Sequence, residues 1–121
     1  MNRQERRRHL RIKRHLFISY YAKNDSRVKH DASQLRNISL GGMCFVTSSG
    51  YSPATVLVID LKTPYLADPT TLEGTVLGSK EMIPNILYET RVSFSKLSPQ
   101  AEFIIKKIIE NFKNLERGNN A

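Results

Sequence analysis

Cysteine occurs once in this sequence, at Cys44. That excludes a disulfide framework within the chain and a zinc site built on cysteines. The histidines His9, His15 and His30 lack metal-ligand spacing, so no metal and no other cofactor is expected. Long apolar runs are missing too. None approaches the roughly 20 residues of a transmembrane helix. The N-terminus is basic, but no apolar stretch of the signal-peptide kind follows it, and a cytoplasmic protein is expected. Aromatic residues make up only 8% of the chain, and the tyrosines are scattered. They form no evident platform on which bases could stack.

Catalytic patterns are scarce as well. His30 and Asp31 are neighbours, but no nucleophile-elbow pattern accompanies them. No paired carboxylates stand out. The stretch LEGTVLGS lacks the lysine that a phosphate loop carries after its glycines. No catalytic residue is assigned, and no enzyme is expected.

Acids are few: 11 Asp and Glu stand against 19 Lys and Arg, for a net charge of +8. The excess is concentrated at one end. Residues 3 to 14 hold six arginines and one lysine against a single acid, Glu5. Such an arm attracts polyanions: nucleic acid, nucleotides or an anionic membrane face. Taken alone, it also reads as a solvated basic tail.

The rest is ordinary globular sequence. A chain of 121 residues, 40% hydrophobic, fits one domain with one modest core. From Leu16 the pattern has period two, with Leu16, Ile18, Tyr20 and Ala22 on one face of a strand. A longer polar strand is expected from about Val28 to Ile38. MCFVT is a strand, and TVLVIDL, residues 55 to 61, is a strand buried on both faces. LEGTVLGS reads as a short strand whose two glycines suggest a bulge or tight bend. KEMIPN is expected to turn. ILYETRVSFS follows, with Ile86, Tyr88, Thr90, Val92 and Phe94 inward. Ser98 is a good helix N-cap and Pro99 suits the first helical position. Ile104, Ile105, Ile108, Ile109, Phe112 and Leu115 then make one apolar stripe, and Gly118 ends the helix.

These elements predict a mainly β fold: a small six-stranded antiparallel β-barrel with a C-terminal α-helix and a flexible basic N-terminal arm. The expected divisions are an arm at 1–15, a barrel at 16–97, a helix at 98–117 and a loose tail at 118–121.

NISLGG interrupts the strands at residues 37–42. Asn37 and Ser39 can hydrogen-bond a ligand edge, and Gly41 and Gly42 permit left-handed backbone and close approach. The same six residues also read as a tight corner whose polar side chains satisfy their own loop.

Arm and turn together say more. Arg7 and Arg11 form R-x-x-x-R, and Asn37, Ser39 and Gly42 form N-x-S-x-x-G further along. With the VLVIDL strand and the RVSFSKL strand before the helix, the chain resembles the PilZ domain, the bacterial receptor module for cyclic di-GMP. The resemblance implies a six-stranded barrel whose arm closes over the ligand. It implies that Arg7 and Arg11 hold guanine and phosphate, that Asn37 and Ser39 contact a guanine, and that Gly42 makes room. An arginine fork suits this chemistry: it can grip guanine O6 and N7, pair with phosphate, or lie flat on a purine. Most members carry aspartate where this chain has Asn37. The amide keeps one acceptor for the guanine N–H groups, so a modest weakening is expected. Arg91 stands where glycine often opens the G-x-x-F strand, and it reads here as a solvated strand residue. Arg6, just before the arginine motif, occupies the position that influences ligand number in the family, which points to a stacked pair of cyclic di-GMP. The signal would pass to a downstream protein that the sequence does not name.

Two other functions compete. A small barrel with a basic arm could bind RNA or single-stranded DNA, but the few aromatics and the one-ended charge argue against nucleic acid. A PilZ fold without a ligand could serve as a protein adaptor, but such members usually lack the arginine pair that this chain keeps.

Overall fold

The computed structural model describes residues 16–32 and 34–120, with side chains as far as Asn111. Among these residues are seven strands: β1 (Phe17–Ala22), β2 (Asp25–Ala32), β3 (Leu35–Ile38), β4 (Gly42–Thr47), β5 (Val56–Lys62), β6 (Thr70–Ile83) and β7 (Leu87–Phe94). One helix, α1 (Pro99–Asn120), follows. The strands form a single sheet in the order β2-β1-β5-β6-β7-β4-β3. Every neighbouring pair is antiparallel.

The expected six-stranded barrel is therefore corrected to a seven-stranded sheet that does not close. The extra strand arises where one polar strand was expected, from Val28 to Ile38. Its first part, in β2, pairs with β1, and its second part, β3, pairs with β4 at the other end of the sheet. The two edge strands are thus nearly continuous in the chain, yet no ladder joins them. The sheet nevertheless curls until its ends meet. The Tyr20 ring of β1 stacks on His30 of β2 and meets Phe45 of β4 edge-on, each at a centroid distance of 5.3 Å.

Burial alternates in β1, where Ile18 and Tyr20 are buried, whereas Met43 to Thr47 of β4 and Leu57, Val58, Ile59 and Leu61 of β5 bury both faces of their strands. The helix closes the core with Ala101, Ile104, Ile105 and Ile108. Ser98 caps it as expected: its Oγ accepts the Ala101 N–H at 3.1 Å, and its carbonyl accepts the Glu102 N–H at 2.9 Å. The helix continues through Gly118 to Asn120, past the end expected at residue 117.

Two expectations in the β6–β7 hairpin change. Lys80–Ile83 extends β6 instead of turning, because it finds ladder partners in β7 as far as the Ile83–Leu87 pair. The turn shrinks to Pro84–Ile86, with Asn85 left-handed at φ 62° and the Ile86 N–H donating to the Ile83 carbonyl. Ile86 therefore lies at the hairpin tip and is exposed rather than inward. The expected bulge is present: the β6–β7 register shifts between Val76 and Gly78.

A chain of hydroxyls ties this hairpin to the loop after β4. Thr47 donates to the Ser49 carbonyl, so it must accept from Thr90, which in turn accepts from Ser79. Ser79 accepts the Tyr51 N–H. Each hydroxyl donates once and accepts once, which leaves the buried Thr47 and Thr90 satisfied.

Candidate functional site

Asn37, Ser39 and Gly42 lie on one hairpin, the β3–β4 connection. The turn is built by Ser39. Its N–H donates to the Gly42 carbonyl at 2.8 Å, and its Oγ accepts the Gly41 N–H at 3.2 Å. The Ser39 hydroxyl thus serves its own loop, although the residue is exposed. Asn37 is exposed as well, and its amide makes no hydrogen bond among the described residues.

Gly42 acts differently from the sequence expectation. No glycine among the described residues takes a positive φ, so neither Gly41 nor Gly42 supplies a left-handed turn. What Gly42 supplies is space between β4 and β7. A Cβ there would fall far inside van der Waals contact with the Val92 carbonyl oxygen, and within 3.2 Å of Ser93 Cα. The adjoining Gly41 carbonyl accepts the Phe94 N–H at 2.8 Å, which pins the turn to β7.

Strand register brings further residues to the site. Asn37 pairs with Cys44, Cys44 with Arg91, and Arg91 with Gly78. Paired residues project to the same face of a sheet. Asn37, Cys44 and Arg91 therefore share the face opposite the core residues Met43 and Val92. The β3–β4 register shifts between Leu35 and Asn37, at Arg36. The Arg36 side chain reaches across β4 to Glu89 of β7, with Nε 2.9 Å from the carboxylate.

Cys44 reports the electrostatics of this face. Burial pushes its thiol above the usual range and Glu89 adds to the rise, while Arg91 and Arg36 oppose it. The thiol is therefore protonated at neutral pH and is a small buried apolar group rather than a nucleophile. Two guanidinium groups are close enough to affect it.

The expected arm residues Arg6, Arg7 and Arg11, and the whole arm expected at 1–15, lie outside the described residues. Arg91 is exposed on β7, as a solvated strand residue would be. Alternation along β7 marks it as outward, but its place beside Asn37 depends on three strands pairing in register.

A family model described as PilZ domain matches residues 5–111. The chain belongs to the PilZ domain family. The match takes in the R-x-x-x-R arginines as well as the hairpin that carries Asn37, Ser39 and Gly42. Among curated proteins, none matches the sequence. PilZ domains are generally cyclic di-GMP-binding or adaptor domains. Among the described residues, no helix is long and apolar enough to cross a membrane, and no group of three His, Cys, Asp or Glu could hold a metal ion.

Proposed function

We propose that this PilZ domain is a cytoplasmic receptor for cyclic di-GMP. It holds the dinucleotide between its arginine-rich N-terminal arm and the β3–β4 hairpin, and passes the signal to a partner protein. The supporting observation is the state of Asn37. Its amide is exposed and makes no hydrogen bond among the described residues, on a strand that leads into the turn closed by Ser39 and in one cross-strand row with Arg91. An amide carbonyl accepts from guanine N1–H or N2–H, and the arginines of the arm suit the phosphodiesters. Arg7 and Arg11 would supply the opposing forks. The ligand needs no metal and no further cofactor in this reading.

Calorimetry with cyclic di-GMP, beside GMP and a short oligonucleotide, tests it. The expected dissociation constant is nanomolar to micromolar, roughly −8 to −12 kcal/mol. Arg7→Ala and Arg11→Ala should each weaken binding by about 1.5–3 kcal/mol, the value of a hydrogen bond to a charged group. Arg3→Ala and Lys13→Ala, outside the motif, should cost less. Tight binding of the oligonucleotide with no response to the dinucleotide would overturn the assignment.

A further inference from the structure

We propose that Arg91 is an additional ligand-binding residue of this domain, gripping a phosphodiester of the dinucleotide from the open face of the sheet. The inference rests on the cyclic di-GMP reading and deepens it. Arg91 lies two strands from Asn37 in one cross-strand row. Neighbouring strands are about 4.8 Å apart, so the two Cα atoms are separated by roughly 10 Å. A long guanidinium side chain and a dinucleotide both span that distance. The row has a low floor on either side of Arg91. Cys44 is small and buried, and a Cβ built at Gly78 would meet no atom within 4 Å. Arg91 thus projects from between two short neighbours, with open ground towards β6.

Charge points the same way. Arg36, on the same face, is neutralised by Glu89. Arg91 is exposed and makes no salt bridge among the described residues. Its neighbours along the face are Glu89, already engaged by Arg36, and Ser93, which pairs with Gly42 at the turn. A guanidinium with no acidic partner among the described residues, in one row with an amide able to hydrogen-bond, suits an anion that carries a base.

Titration calorimetry of the full chain with cyclic di-GMP, at two salt concentrations, tests the inference. Arg91→Ala should raise the dissociation constant about tenfold to a hundredfold, as expected for one charge-assisted contact. Its affinity should also fall less steeply with added salt. Arg91→Lys should recover most of the loss, because a phosphodiester accepts either cation. Lys80→Ala provides the control, since Lys80 pairs with Glu89 on the same face but further from Asn37. An Arg91→Ala dissociation constant within twofold of the unmodified protein would overturn the inference and leave the receptor assignment standing. Losses of equal size at Arg91 and Lys80 would also overturn it, since they would mean a diffuse field. Absence of cyclic di-GMP binding by the unmodified protein would be a failure of the receptor assignment itself, and this inference would fall with it.

Discussion

Asn37, Ser39 and Gly42 belong to one motif but work through three different kinds of physics. Asn37 is exposed, and its amide makes no hydrogen bond among the described residues. Ser39 folds its hydroxyl into the turn. Gly42 lets two backbones approach, because its missing Cβ is the space that the Val92 carbonyl occupies. The obstacle to a side chain at 42 is backbone in β7, which cannot rotate out of the way as a side chain could. Gly42→Ala must therefore push β4 from β7 and strain the Met43–Val92 pairing at the core. Overpacking of this kind costs about 1–3 kcal/mol and sometimes more, and a clash with backbone belongs at the upper end. Urea unfolding should show a midpoint lowered accordingly with an unchanged slope. If Gly42→Ala kept full stability and lost only ligand affinity, the glycine would be there for the ligand and not for the sheet.

Among the elements, the helix shows how burial divides its residues by energy. Ile104 and Ile105 are fully buried, and the helix packs on β6 and β3. Phe103 is about half exposed, with the Lys107 ammonium 5.7 Å from its ring centroid. Truncating Ile105 removes three buried carbons and leaves a cavity, so Ile105→Ala should cost about 2–5 kcal/mol. Phe103→Ala removes a partly solvated ring and a surface cation–π contact, worth about 0.5–1 kcal/mol. Thermal unfolding of the two variants should rank them clearly. A larger loss at Phe103 would mean that the exposed face of the helix is covered in solution. Period alone made this helix and β1 legible, because each buries a face that recurs every 3.6 or 2 residues, while β4 and β5, buried on both faces, were legible as short runs of apolar and β-branched residues. The division between β2 and β3 was not legible in the same way. No glycine or proline falls between Val28 and Ile38, and the division is set by which partner each half reaches, β1 or β4. The extension of β6 over Lys80–Ile83 was hidden for the same reason: its residues are polar or exposed, and only pairing with β7 makes them a strand.

At the scale of the whole molecule, the residues of the proposed site are far apart in the chain. The motif residues were legible because each lies in a short local pattern. Arg91 was not, since its neighbourhood with Asn37 passes through β4 and requires two registers at once. The same separation bears on how many ligands one chain can hold. Two stacked molecules of cyclic di-GMP carry four phosphates and four guanines in all. A sheet would offer one face to such a stack, so the molecule lying away from it would need cations from elsewhere. Arg6 stands immediately before R-x-x-x-R, and Arg8 lies just inside the motif. An arginine there can pair with a phosphate or lie on a guanine face, which an apolar residue cannot do. The unmodified protein should therefore bind two molecules of cyclic di-GMP per chain at saturation. Arg6→Leu should halve that number and leave the first site intact, with its affinity little changed, because Arg7, Arg11 and Asn37 remain. Calorimetric stoichiometry reads this directly. One ligand per chain in the unmodified protein would refute the stacked pair without touching the receptor assignment. A loss of both ligands in Arg6→Leu would make Arg6 part of the first site, on a par with Arg7 and Arg11.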